Sequence, residues 1–233
     1  MIKVEIAGIP IGIDNRFEYI EKLSGEYLTD KEPIFTVNAT DADIDKEREI
    51  AGESFSHAYL ESTVIFRKIA EHLPEYDAVV FHGAVLAKGG KAYAFTAKSG
   101  VGKTTHTRLW LSEFGDSVHY INGDKPIIRM IDGVPYAFGT PWRGKEGYGT
   151  NTSAPLAAIA LLGRGITNSA RTIKPEESTI RMFKQIYIPS DPTCAALAMR
   201  VADRIIASVR FVELNCNMES EAAWVAARAM LTE

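Results

Sequence analysis

The chain has 233 residues, of which 46% are hydrophobic and 24% charged, with a net charge of −4. That is enough apolar material for one sizeable core, or one core with an appendage, and so mild a charge argues against non-specific binding to nucleic acid or to an anionic membrane. The acidity is concentrated at the start, where residues 1–50 hold twelve Asp and Glu against six Lys and Arg.

Residues 2–13 are rich in Ile and Val and alternate loosely, which predicts a strand or a hairpin. A short helix is expected over 17–23 (FEYIEKL), a strand over 33–39 (PIFTVNA) and a charged surface helix over 43–53. In 56–76, Leu60, Val64, Ile65, Ile69 and Leu73 recur near helical spacing until Pro74 stops them. Residues 77–87 (DAVVFHGAVLA) and 91–97 (KAYAFTA) read as two strands joined tightly at Gly89-Gly90. A helix follows over 103–114, ended by Gly115, and then a short buried strand over 117–121. Asp132-Gly133 marks the turn of a hairpin within 126–138. Residues 140–153 (TPWRGKEGYGTNTS) form a polar, glycine-bearing loop. Residues 154–163 (APLAAIALLG) suit a buried strand, although their length also permits a helix. Helices over 175–188 and 194–209, a strand over 210–216 and an amphipathic helix over 219–231 complete the chain. Helices interleaved with hairpins predict an α/β core that carries antiparallel strands. Residues 1–55 are expected to form an α/β appendage packed on a domain of residues 56–233.

Cys194 and Cys216 have neither metal-ligand spacing nor a CxxC pattern, and read as reduced, mostly buried thiols. The opening MIKVEIAGIPIGI is too short and interrupted for a signal peptide, and no later apolar run reaches the ~20 residues of a membrane span. A cytoplasmic protein without nucleic-acid or membrane partners is expected. Self-association into a homo-oligomer stays open.

The chemistry centres on TAKSGVGKTT, residues 96–105. The phosphate-binding (Walker A) pattern is G-x-x-x-x-G-K-[ST], and residues 97–104 read A-K-S-G-V-G-K-T. A strand leads in and a helix leads out. In such a loop the main-chain N–H groups of Ser99, Gly100, Val101, Gly102 and the first helical residues point inward as an anion nest, and the helix N-terminus adds positive potential. Lys103 suits the β- and γ-phosphates of ATP, Thr104 suits Mg²⁺, and Thr105 suits the α-phosphate or the first helical turn. Ala97 replaces the first glycine. If that position needs a positive φ, alanine costs about 1 kcal/mol, which is small against charge-assisted hydrogen bonds to a triphosphate.

Phosphoryl transfer also needs a carboxylate. Asp124, in HYINGDKPII after an apolar strand, is the best placed in the chain to hold Mg²⁺ or to take a proton from an attacking hydroxyl; a simple turn aspartate is the alternative. In PWRGKEG, Arg143 and Lys145 stand in a glycine-bearing loop from which they can reach transferring phosphate. An ordinary surface loop anchored by Trp142 is the other reading.

With these residues in view, FHGAVLAKGGKAYAFTAKSGVGKTTHTRLWLSEFGDSVHYINGDKPIIRM resembles the catalytic domain of HPr kinase/phosphorylase and its smaller relatives. Those proteins share a nucleotide-binding fold with ATP-dependent phosphoenolpyruvate carboxykinase. The resemblance rests on His82-Gly83 before a strand hairpin, on the phosphate loop and on Asp124, and it covers residues 78–130. It implies a mixed-sheet P-loop core with β-hairpins and C-terminal helices, a His82 that faces the phosphates, and transfer of the γ-phosphate of ATP to a hydroxyl of a protein, a peptide or a small molecule. Relatives carry two adjacent aspartates; a gapless match sets Gly123-Asp124 against them and a one-residue shift sets Asp124-Lys125, so one carboxylate remains either way and phosphorylase activity is not implied. Carboxykinase chemistry is not implied either, because the chain is less than half the length expected of that enzyme and shows no convincing oxaloacetate site. A nucleotide-binding regulatory module with little turnover is the competing reading. A switch GTPase is disfavoured because no NKxD guanine-reading sequence is present.

Overall fold

The structure is a computed structural model that describes residues 1–52, 54–98 and 100–231. The N-terminal hairpin pairs β1 (Ile2–Ile6) with β2 (Ile9–Asp14), and β3 (Phe35–Asn38) runs parallel to β2. Three helices accompany this small sheet: α1 (Glu18–Leu23), α2 (Asp41–Ala51) and α3 (His57–His72). Thr40 and Asp43 close a reciprocal capping box at the start of α2, which satisfies two otherwise orphaned N–H groups. Alternate residues Ile9, Ile11 and Ile13 are buried, and they share one core with Leu60, Ile65 and Ile69 of α3. That core continues through Ala78 and Val80 to Ile127, so it reaches the larger sheet.

The larger sheet contains β4 (Ala78–Val80), β5 (Ala84–Lys88), β6 (Lys91–Thr96), β7 (Val118–Asn122), β8 (Ile127–Ile131), β9 (Val134–Phe138) and β10 (Ser153–Arg164) in the order β4-β8-β9-β10-β6-β5-β7. β12 (Arg210–Cys216) lies parallel beside β10, and β11 (Ser169–Ile173) pairs antiparallel with β12. The 154–163 run is a strand. Ser153–Pro155 pair antiparallel with β9, and the rest of β10 pairs parallel with β6 and β12. Both of its faces are covered, which explains its nearly unbroken apolar sequence. Ile159 and Leu161 meet a core built with α6 (Pro192–Ser208) and α5 (Pro175–Phe183). Ala158 and Ala160 meet the opposite core, which holds Trp110 of α4 (Lys103–Phe114) and Ala223, Ala226 and Met230 of α7 (Glu221–Met230). No helix among the described residues is long and apolar enough to cross a membrane.

Two sequence expectations need correction, and one strand was not foreseen. Residues 77–87 are two strands, because the chain changes partners at three successive N–H groups. Phe81 donates to the Pro126 carbonyl at 2.9 Å, His82 to Gln185 at 2.6 Å and Gly83 to Asp124 at 3.0 Å. The helix expected over 175–188 stops at Phe183, and Tyr187 then donates to the Val80 carbonyl at 3.0 Å. Strand β11 is polar and exposed along much of its length, so it carries no buried-strand pattern. The two cysteines are free and half-buried.

Candidate active site

Strand direction assembles the site. β5 runs antiparallel to both β6 and β7, with Ala84 opposite Phe95 and Val85 opposite Asn122. The start of β5, the end of β6 and the end of β7 therefore meet on one edge. His82-Gly83, the loop after Thr96 and the Gly123-Asp124 turn emerge there together. A cavity of about 500 Å³ opens between them, lined by His82, Gly100, Gly102, Lys103, Thr104, Thr105, Asp124, Arg143 and Lys145 among others. Of the residues proposed from the sequence, Val101 is not in this lining, and Ser99 lies outside the described residues.

The loop itself is unstrained at the departure from the pattern. Ala97 is buried and does not have a positive φ, so alanine there carries no left-handed penalty. Gly100 and Gly102 do have positive φ, of 77° and 126°, and among the described residues, chain neighbours aside, a Cβ on either would meet no atom within 4 Å. They bend the backbone while leaving space in front of it open. Among the described residues no side chain caps α4, whose N-cap is Gly102. Lys103, Thr104 and Thr105 thus open the helix facing the cavity, where first-turn N–H groups and the helix dipole favour an anion. Arg164, at the end of β10, braces the loop from behind, donating to the carbonyls of Gly100 at 2.6 Å and Val101 at 3.4 Å.

Three side chains meet in front of the helix. The Lys103 ammonium is 3.3 Å from His82 Nε2, and that nitrogen is 3.6 Å from Asp124 Oδ1. Burial, then the Lys103 charge, push His82 below its ordinary 6.5, while Asp124 opposes them. Lowering of the pKa favours the neutral imidazole at pH 7, whose Nε2 can accept from Lys103 when the ring proton sits on Nδ1. Burial also lowers the Lys103 pKa, again opposed by Asp124.

The Asp124 turn is held by Asn122, a strand-end residue whose position in the sequence suits a local hydrogen bond. Asn122 is fully buried; its Oδ1 accepts from the N–H of Asp124 at 2.8 Å and of Lys125 at 2.7 Å, and its Nδ2 donates to Thr140 Oγ1 at 3.0 Å. It is a positioning residue that fixes the carboxylate. Gly144 packs against that turn so closely that a Cβ on it would lie 2.8 Å from Asp124 Cβ.

The loop after β9 is anchored by Trp142. Its Nε1 donates to Ser62 Oγ at 3.1 Å, and its ring lies 4.9 Å from the Phe66 ring. Arg143 is engaged elsewhere, donating to Glu26 Oε2 at 2.6 Å. Lys145 has no ion pair with a described residue. Glu146 pairs with Arg108 at 2.7 Å, beside the stacked rings of Tyr120 and Tyr148. Sequence reasoning missed Glu26, Arg164 and Gln185, which no local spacing connects to the loop.

Thr104 and Asp124 supply oxygen donors to the same cavity. Among the described residues no group of three or more His, Cys, Asp and Glu is placed to hold a metal. A hard cation here needs phosphate oxygens to complete its shell, which is how Mg²⁺ is usually held.

No family model matches the chain, and no curated protein matches it. Among solved structures the chain is similar to the HPr(Ser) kinase/phosphatase from Coxiella burnetii, at 8% sequence identity, over 65% of this chain and 96% of that chain, with a TM-score of 0.39. A likeness of that size carries no argument about activity.

Proposed function

We propose that the chain is an ATP-dependent phosphotransferase built on a P-loop core of the HPr kinase type, transferring the γ-phosphate to a hydroxyl. The observation that carries this reading is the meeting of Lys103, His82 and Asp124 before the uncapped N-terminus of α4, in one cavity. Residues 56–233 carry the chemistry, and residues 1–55 are an appendage packed on them.

In this reading the triphosphate lies along Gly100 to Thr105, with Lys103 at the β- and γ-phosphates. Asp124 orients the acceptor hydroxyl and takes its proton. The hydroxyl oxygen forms a bond to the γ-phosphorus, the bond from that phosphorus to the bridging oxygen breaks, and its electron pair leaves with ADP. Thr104 and Asp124 would hold Mg²⁺, which supplies neutralisation of phosphate charge when bound. His82, neutral and held by Lys103, donates no charge of its own in the resting site; added phosphate charge favours its protonation. Lys145 faces the cavity ready for the γ-phosphate, whereas Arg143 has to leave Glu26 to join it.

The Arg143–Glu26 pair and the single carboxylate favour a second reading, a nucleotide-binding regulatory module with little turnover. ADP release from Mg·ATP, measured with and without free serine and serine-containing peptides, separates the two. The kinase reading expects ADP release that depends on an acceptor and falls about 1,000-fold in Asp124→Asn. Nucleotide binding without acceptor-dependent release in any arm supports the module.

A further inference from the structure

A second cavity of about 460 Å³ adjoins the first and shares Asp124, Arg143, Gly144 and Lys145 with it. Its other wall is aromatic: Tyr19 on α1, Tyr59 and Phe66 on α3, and Trp142 from the loop after β9. Tyr19 and Tyr59 are each 40% exposed and meet edge to face, 6.4 Å apart. Phe55, 41% exposed, stacks on Tyr59 at 4.8 Å outside the cavity, so the aromatic surface runs on beyond it. This platform is held in place. The buried Glu61 carboxylate accepts from the N–H groups of Arg16 at 2.7 Å and Phe17 at 3.2 Å, which fixes the start of α1 against α3.

We propose that this second cavity is the acceptor site and that it takes a peptide segment, with a serine or threonine hydroxyl at Asp124 and a neighbouring aromatic side chain on the Tyr19–Tyr59 platform. The inference rests on the phosphotransferase reading and deepens it. A hydroxyl in the second cavity and a γ-phosphate in the first approach the same carboxylate from adjoining chambers, as displacement at phosphorus requires. The proton passes to Asp124, the new bond joins the acceptor oxygen to phosphorus, and ADP departs with the electron pair of the broken bond. Exposed tyrosines offer broad contact at low entropic cost. A surface that extends past the cavity mouth suits an extended chain rather than a compact molecule. The charged side chains of the lining are Lys125, Arg143 and Lys145 against Asp124, which favours a peptide without basic residues beside the serine.

The test uses the full chain and fluorescein-labelled, end-blocked pentapeptides with a central serine, flanked on both sides by either tyrosine or alanine. Binding is read by anisotropy, and Mg·ATP binding by calorimetry on the same samples. The tyrosine-flanked peptide is expected to bind at least tenfold more tightly than the alanine-flanked one. Tyr59→Ala should remove that difference while leaving Mg·ATP affinity unchanged, and Tyr59→Phe should restore it. Equal binding of the two peptides, or a difference that survives Tyr59→Ala, overturns the site. Weakened Mg·ATP binding in Tyr59→Ala also overturns it, by giving the platform to the nucleotide base. An end-blocked single serine that binds as well as the pentapeptide overturns the peptide assignment. Failure of the wild-type chain to bind Mg·ATP while the peptide preference holds sinks the phosphotransferase reading alone, because the anisotropy arm needs no nucleotide.

Discussion

The loop after β6 and the loop after β9 face one another across the candidate active site, and they are held by different means. The first is fixed by its own sheet: β5, β6 and β7 are hydrogen-bonded neighbours, so His82, Lys103 and Asp124 are delivered by strand order and direction. The second is fixed by distant parts of the chain. Trp142 hangs on Ser62 of α3, and Arg143 is tied to Glu26. One wall is therefore preorganised by its own sheet, while the other depends on contacts with distant parts of the chain. Catalysis by positioning favours the first arrangement and conformational control the second.

The contrast can be broken most severely at Asp124. Asp124→Asn keeps the turn that Asn122 holds but removes both the proton acceptor and the charged Mg²⁺ ligand, so acceptor-dependent turnover is expected to fall about 1,000-fold and Mg·ATP affinity only about tenfold. Parallel steady-state kinetics and calorimetry check this, and a matching loss of nucleotide affinity would make Asp124 a phosphate-side residue instead.

Gly144→Ala probes the junction of the two walls. The new Cβ would lie 2.8 Å from Asp124 Cβ, at a φ of +73° that disfavours any side chain. Displacement of the carboxylate should lower turnover about 10- to 100-fold, and stability by about 1–2 kcal/mol. Urea unfolding alongside kinetics separates the two effects.

The preorganised wall also has a pH signature. His106, one turn into α4, is buried, accepts from Trp110 Nε1 at 3.2 Å and is pushed by burial down to about 4 from an ordinary 6.5. Between those values the unfolded chain binds a proton that the folded chain refuses. Stability is therefore complete above about pH 6.5 and falls on acidification, by up to about 3 kcal/mol near pH 4. His82 shifts in the same direction and adds to the same slope. His106→Gln retains an acceptor for Trp110 but does not titrate, and its loss of stability between pH 6.5 and 4.5 should be about 2 kcal/mol smaller than that of the wild type. An unchanged slope would assign the acid sensitivity elsewhere.

The smallest effect belongs to the tethered wall. Glu26 and Arg143 are partly exposed, so Glu26→Gln should change stability by less than about 1 kcal/mol. It frees the guanidinium, and Mg·ATP affinity is expected to rise a few-fold, as read by calorimetry. Weaker binding would mean that Glu26 positions Arg143 for the phosphate instead of restraining it.

The same division separates what was legible in the sequence from what was not. Lys103, Thr104 and the strand-to-helix setting were readable because the phosphate-loop pattern is local, and Asp132-Gly133 announced its hairpin for the same reason. The concern over Ala97 dissolved only with the backbone, since a sequence does not state which loop positions have positive φ. Residues 77–87 read as one strand because their side chains are apolar apart from Asp77 and His82; the exchange of N–H partners at Phe81, His82 and Gly83 depends on Pro126, Gln185 and Asp124, far along the chain. Glu26 and Arg164 were invisible for that reason too. Asn122 was visible as a polar residue at a strand end, but its task of holding the Asp124 turn needed Thr140 in view.

Calorimetric titration of Mg·ATP into the wild-type chain and into Lys103→Met reaches most directly the central claim, that the N-terminus of α4 and the Lys103 ammonium grip a triphosphate. The expected result is saturable one-to-one binding by the wild type and an affinity lower by about 100-fold or more in the variant, with the melting temperature unchanged. No binding by the wild type, or equal binding by the two proteins, would contradict it.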